Sequence, residues 1–424
     1  MRKIRDILLT IYLIINVFIV TVGSYLEMIK NIGSMDFSKF YILLLIINFI
    51  IIVFRLIYNK IKRIDSKIDL IDIIVVIIIF LGLISSSIFA INKQVAFYGF
   101  REGYEGFYQI MYYFSLFYLS SHVLEKYKKY VIYSILFSGV IQGVYAILQK
   151  TQVIDVHTTI YNGFIWANGF IKNPNFFGTF MLLCLCYSIG FFIDNKNIKK
   201  RIIDYLLIIL FMTSLLFSNT LSVVMGLFAV LFYLLIYLIK NKRYTVFIVL
   251  LIPIIVTTII ATKLRYTGIV GDLLKTKNQT IEISKGHIEE KYGSNRIFIW
   301  KNTLKRVPNY LFYGAGIDNF FYAFGQNPLK CGRYYIVKAH NEYLQVLICE
   351  GIYALISYLF FYFILVYRGI KNSFKNKQVY LILPVIGYLV QAFFNISVIE
   401  VAPFVYISLG LCMVRSNKEG NNAK

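Results

Sequence analysis

Leu70-Ile-Asp-Ile-Ile-Val-Val-Ile-Ile-Ile-Phe-Leu-Gly-Leu-Ile84 holds one charged residue, Asp72, in fifteen positions, and shows neither the alternation nor the polar stripe of a half-buried element. Such a run is apolar all round. Continued as a helix to about 20 residues at 1.5 Å per residue, it matches the ~30 Å hydrocarbon core of a bilayer. Basic residues stand just before it (Lys60, Lys62, Arg63, Lys67), and comparable runs recur along the chain. The 424 residues are 58% hydrophobic and 15% charged, with a mean hydropathy of +0.68, which excludes a set of water-soluble domains. The chain therefore reads as an all-α polytopic membrane protein. Apolar runs predict about twelve transmembrane helices, near 7–25, 40–58, 71–91, 107–121, 130–148, 175–193, 202–217, 221–239, 245–262, 343–366, 379–396 and 401–414.

The basic residues give these spans a direction. Short cytoplasmic loops retain Lys and Arg, and extracytoplasmic ones are depleted. On one side fall Arg2, Lys3 and Arg5, the loops around Lys60, Lys126, Lys196, Lys240 and Arg368, and the tail with Arg415, Lys418 and Lys424, 24 basic residues in all. The short loops of the other side carry six: Lys30, Lys39, Lys93, Arg101, Lys150 and Lys172. Both termini are thus expected in the cytoplasm. The first run lacks a small-residue cleavage site after Val22-Gly23-Ser24 and is expected to remain as a span rather than be removed as a signal peptide.

A net charge of +23 in a soluble chain would suggest nucleic acid as a partner. Here most of it records membrane orientation, and no nucleic-acid partner is expected. Five cysteines show no disulfide or metal-ligand spacing, and no P-loop or dinucleotide fingerprint is present. No metal or other cofactor is expected.

One loop is long. Residues 263–341 hold 13 basic residues against five acids and are placed outside the cell by the alternation. The chain thus divides into an N-terminal membrane region (1–262), this basic loop (263–341) and a C-terminal membrane segment (342–424). Within the loop, Arg296-Ile-Phe-Ile-Trp300 through Val307 predicts a short amphipathic helix ended by Pro308 and Asn309. A glycine turn follows at Tyr313-Gly314-Ala315-Gly316-Ile317-Asp318-Asn319-Phe320. Then Lys338-Ala339-His340-Asn341-Glu342 opens the tenth span, whose N-terminal N–H groups suit a phosphate. Asn341 and Glu342 also fit plain capping residues. Glu350, two turns further on, is costly in a span and is expected to face a polar cavity or a partner.

Ala339-His340-Asn341-Glu342-Tyr343-Leu344-Gln345 with Glu350-Gly351, the upstream Arg296-x-x-x-Trp300 and Tyr313–Phe320 turn, and Asn173-Pro174-Asn175-Phe176-Phe177-Gly178 together resemble the O-antigen ligase and O-antigen polymerase superfamily. The resemblance covers most of residues 160–365. It implies a GT-C-like architecture and an enzyme of the outer face of the cytoplasmic membrane. Such an enzyme transfers a saccharide from a polyprenyl-diphosphate carrier to a hydroxyl on a glycan, lipid or protein acceptor, without a nucleotide sugar. On this basis His340 is expected as general base or substrate orienter, with Asn341 and Glu342 holding its imidazole. Arg296, Arg265 and Lys338 are expected on the diphosphate. Asn173, Asn175, Trp300, Gly314, Gly316 and Glu350 are possible acceptor or supporting residues.

One departure stands out. The family commonly has an arginine where this chain reads Phe217-Ser218-Asn219-Thr220-Leu221, and Arg101, Lys172 and Lys263 are the nearby cations that are candidates to substitute. His157 and Trp166 suit either an acceptor groove or an interfacial aromatic anchor. Two other classes compete, a lipid-linked oligosaccharide flippase and a non-catalytic scaffold whose basic loop binds lipid headgroups. A flippase more often shows two repeated halves, and no repeat relates 1–200 to 201–424.

Overall fold

The computed structural model describes residues 2–30, 34–61, 69–100, 104–154, 159–161 and 164–413. Arg101, His157, Lys62, Arg63, Lys67, Arg415, Lys418 and Lys424 lie outside the described residues, and the side chains of Arg2, Lys3 and Lys30 are likewise not described. The chain is an all-α polytopic membrane protein. Among the described residues eight helices are long and apolar enough to cross a bilayer: Ile4–Met28, Lys39–Ile61, Leu70–Phe89, Glu125–Lys150, Pro174–Asp194, Leu221–Lys240, Tyr244–Lys263 and Ile352–Asn376. The other four expected spans coincide with helices that are shorter, Phe107–Ser121, Val379–Ala392 and Ala402–Cys412, or start with a charged turn, Ile198–Phe217. Among the described residues the strands form only two short hairpins, Thr159–Tyr161 with Phe164–Trp166 and Lys330–Cys331 with Tyr334–Tyr335.

Pro174–Asp194 is the central helix, with 94% of its apolar window buried, against 17% for Lys39–Ile61 at the rim. It packs on Ile198–Phe217 and Val379–Ala392. Lipid tails are as apolar as leucine, so close approach between backbones matters more here than exclusion of water. Glycines permit it: a Cβ on Gly190 would lie 2.2 Å from Tyr380 Cα, and one on Gly226 2.6 Å from the Gly387 carbonyl.

Contacts between connections sort them into two ends. At one end Arg368 binds Asp69 with two 2.7 Å hydrogen bonds, Gln378 donates to Glu125 (2.8 Å) and Arg243 to the Ile193 carbonyl (2.9 Å). At the other, the Thr220 hydroxyl reaches the Pro174 carbonyl (3.2 Å), Asn395 reaches the Asn175 carbonyl (3.5 Å) and Asn319 brackets Asn92.

Two helices differ from expectation. The segment 343–366 is broken: Glu342–Glu350 ends at Gly351, and Ile352–Asn376 starts afresh. Gly351 has φ +89°, and a Cβ there would fall 2.4 Å from the Phe312 carbonyl, so the Leu311–Tyr313 loop wedges into the break. The amphipathic helix runs through Pro308 to Tyr310. Proline removes one N–H and crowds the carbonyl a turn earlier, and so close to the end only that last turn is affected.

Candidate functional site

His340 has left-handed backbone (φ +50°), uncommon without glycine and held only where the surroundings enforce it. They do so on both sides. The preceding Ala339 N–H donates to Gln345 Oε1 (2.8 Å), and its carbonyl accepts from Trp300 Nε1 (3.1 Å). On the following side Asn341 is the N-cap of Glu342–Glu350, its side chain accepting from Leu344 N–H (2.9 Å). Trp300 is itself wedged edge-on against Phe393, at 5.5 Å between centroids.

Asn341 and Glu342, expected to hold the imidazole, are occupied elsewhere. The Asn341 oxygen caps the helix. The Glu342 carboxylate accepts from Tyr388 (2.6 Å) and Tyr362 (3.5 Å). Among the described residues the imidazole makes no hydrogen bond. Burial pushes the His340 pKa down, and the positive charges of Arg296 and Lys338 push it further, to about 4. At neutral pH the ring is neutral and has a free lone pair.

The expected cations are placed differently from one another. Arg296 donates through Nε and Nη2 to the Phe394 carbonyl (3.2 and 2.9 Å) and through Nη1 to the Gly293 carbonyl (3.1 Å), leaving two of its five N–H groups over. Burial lowers its pKa. Lys338 is buried in an ion triad with Asp318 and with Glu105, 3.5 Å away. Burial alone would lower the Lys338 pKa, but the two carboxylates hold it above its ordinary value. Asp318 also accepts from Phe100 N–H (2.6 Å), and Glu105 from the Tyr113 hydroxyl (3.4 Å). The Lys338 ammonium is thus committed to carboxylates. Arg265 is exposed, in a left-handed turn after Tyr244–Lys263. That turn is clamped by Asn219, whose oxygen accepts from the Thr267 hydroxyl (2.7 Å) and from Gly268 N–H (2.9 Å).

The remaining expected residues form the frame. Asn173 caps the central helix, accepting from Asn175 N–H at 2.8 Å, and Asn175 is partly exposed beside Asn395. Gly314 and Gly316 have φ +75° and +105°. A Cβ on Gly314 would meet the Cys349 carbonyl at 2.1 Å and one on Gly316 would meet the Ala90 Cβ at 2.6 Å. This approach lets Ala315 and Gly316 N–H groups bind the carbonyls of Ile348 and Cys349 at 2.9 Å, stitching the turn to the end of the His340 helix. Glu350 is buried with one carboxylate oxygen lacking a hydrogen bond. Of the candidate replacements for the missing arginine, Lys172 is paired with Glu27 (2.7 Å) and Lys263 is exposed. Trp166 lies in the hairpin before the central helix, a strand tied to Lys150 and, through Ala167, to the Phe217 carbonyl.

Hydrogen bonds thus connect all three motif regions at one end of the bundle: the Arg265 turn to Asn219, Thr220 to Pro174, Asn175 to Asn395, Phe394 to Arg296, and Trp300 to Ala339 beside His340. Residues 206–359 match the O-antigen ligase family. The matched O-antigen ligase segment contains Arg265, Arg296, Trp300, Gly314, Gly316, His340, Asn341, Glu342 and Glu350, and stops short of Asn173 and Asn175. It bears out the resemblance to the O-antigen ligase/polymerase superfamily and supports a multi-pass membrane enzyme of surface-polysaccharide assembly. No curated protein matches the chain significantly.

Sequence reasoning missed Glu105 and Tyr388. Glu105 stands between Gly103 and Gly106 in sequence, where an acid reads as solvated. Tyr388 is one of 35 tyrosines in a chain whose interfaces favour them. Neither carries a local signal.

Proposed function

We propose that the protein joins saccharides outside the cytoplasmic membrane, taking the donor from a polyprenyl-diphosphate carrier and the acceptor as a glycan, lipid or protein hydroxyl. The twelve crossings expected from the sequence, with both termini in the cytoplasm, support an outer position for the His340 end, where a carrier lipid presents its finished glycan. The acceptor oxygen attacks the anomeric carbon, the bond from that carbon to the diphosphate oxygen breaks, and the electron pair leaves with the diphosphate. His340 takes the acceptor proton. No nucleotide sugar is needed, because the diphosphate is already the leaving group.

The observation that carries this reading is a buried imidazole in an enforced left-handed turn, within the field of Arg296 and Lys338 and inside the family-matched segment. Burial, reinforced by the two cations, keeps His340 deprotonated while the site is empty. A bound diphosphate offsets their charge and makes the ring a stronger base as the substrate arrives. Arg296 has N–H groups left for phosphate oxygens, and Arg265 is exposed on the Asn219-clamped turn at the same end. Lys338, held by two carboxylates, contributes its field.

His340→Ala tests the reading: glycan joining should be lost while the protein stays inserted and folded. His340→Gly, which relieves the left-handed backbone, controls for folding. Activity retained in both variants removes His340 from the chemistry. In cells lacking the protein, single repeat units on the carrier indicate a polymerase and full chains stranded on the carrier a ligase. Units trapped on the cytoplasmic side would instead make it a flippase. A scaffold would leave carrier-linked glycans unchanged.

A further inference from the structure

The end of the bundle opposite His340 carries a feature that glycan transfer does not use. Between Pro174–Asp194, Ile198–Phe217 and Tyr244–Lys263 lies an open groove of about 290 Å³, walled by Phe192, Ile202, Tyr205, Leu206 and Val249 with Arg201 as its one charged residue. The guanidinium carbon of Arg201 lies 4.6 Å from the Phe192 ring centroid, a cation–π arrangement that fixes the charge at the groove. Its Nε is buried and has no hydrogen-bond partner, and among the described residues it has no ion pair. The acid nearest in sequence, Asp204, is turned to Asn195, whose amide donates to it at 2.6 Å. Lys199 and Lys200 are exposed on the same first turn and add positive potential without filling the groove.

A partly buried guanidinium with an unused donor, over an aromatic ring and at the mouth of an apolar channel open to the lipid side, lacks an anion and a hydrocarbon chain. A water-soluble anion would satisfy the first and leave the wall bare. We propose that this groove binds an anionic diacyl phospholipid of the adjacent leaflet, its phosphate on Arg201 and one acyl chain along Ile202, Leu206 and Val249.

The test uses the purified full chain in detergent, titrated with phosphatidylglycerol or with phosphatidylcholine of the same acyl chains, and followed by thermal unfolding and by native mass spectrometry of retained lipid. Phosphatidylglycerol should bind and raise the unfolding temperature, phosphatidylcholine should do so far less, and inorganic phosphate should not compete. Arg201→Gln should weaken phosphatidylglycerol binding about tenfold or more. Leu206→Trp, which fills the groove and keeps the charge, should weaken it comparably. Equal binding of both lipids, competition by inorganic phosphate, or unchanged binding in both variants would overturn the proposal. Because the groove lies away from His340, loss of glycan joining in His340→Ala leaves this result unaffected.

Discussion

Replacing Lys338 by methionine removes one charge, keeps most of the side-chain volume and leaves Asp318 and Glu105 buried without their shared counter-ion. At the 3.5 Å separating Nζ from the Glu105 carboxylate, two unit charges attract by roughly 5 kcal/mol at an effective dielectric of about 20. Desolvation cancels most of that while the triad is intact, but removing one partner of a buried pair costs about 3–5 kcal/mol because the other is stranded. Glu105→Gln is milder: it leaves Lys338 and Asp318 as a neutral pair, with a loss of about 1 kcal/mol. In the double variant only Asp318 stays charged, and it retains the Phe100 N–H at 2.6 Å. The double substitution should therefore cost less than the sum of the singles, by a coupling of about 1–3 kcal/mol. Thermal unfolding of the purified full chain reads this directly. Lys338→Met should unfold lowest, the double variant above it, and Glu105→Gln near the parent. If Glu105→Gln is as damaging as Lys338→Met and the double equals their sum, the three groups are not coupled and the argument fails.

Three further outcomes follow from the same geometry. The acid limb of kcat/KM, which reports the free enzyme, should fall near pH 4 because burial and the two cations disfavour the protonated His340 ring, and the limb of kcat should lie higher once diphosphate is bound; a kcat/KM limb at the ordinary histidine value would refute His340 as the buried base. His340 also ties stability to pH: its folded pKa lies below the unfolded 6.5, so the unfolded chain binds more protons between about pH 4 and 6.5, and the unfolding temperature should drop as pH falls through that window, less so in His340→Gly. Gly351→Ala places a Cβ 2.4 Å from the Phe312 carbonyl at φ +89°, so expression or unfolding temperature should fall clearly, and parent-like unfolding would show that the wedge is not needed.

The membrane character and the identity of the motif residues were legible in the sequence because both depend on local composition. Apolar runs such as Leu70–Ile84 and basic turns such as Lys199–Arg201 need no knowledge of partners. The Asn341 cap was also readable, since a cap acts within its own turn. What the sequence left open were long-range pairings. Glu105 and Lys338 are 233 positions apart and meet where Asn92, the cap of a short helix upstream of Glu105, docks on Asn319 of the 313–320 turn. The break at Gly351 was hidden for a related reason. Glu350-Gly351-Ile352 continues an apolar run, and only the Phe312 carbonyl pressed on Gly351 shows why no side chain fits there. The expectation that Asn341 and Glu342 hold the imidazole rested on adjacency in sequence, whereas the Asn341 oxygen accepts from Leu344 N–H and the Glu342 carboxylate from Tyr388 and Tyr362.

The central helix has one more consequence. With 94% of its apolar window covered by protein, Pro174–Asp194 meets almost no lipid, whereas Lys39–Ile61 at 17% and Tyr244–Lys263 at 22% are largely bathed in it. Helices at the rim answer a thicker or thinner bilayer by tilting. The central one has no such pressure on it, so Asn173 and Asn175 ride on an element mechanically insulated from the membrane's fluctuations. Arg265, at the end of the lipid-bathed Tyr244–Lys263, does not share that insulation, and the Asn219 clamp on Thr267 and Gly268 is what ties a responsive rim to a fixed hub.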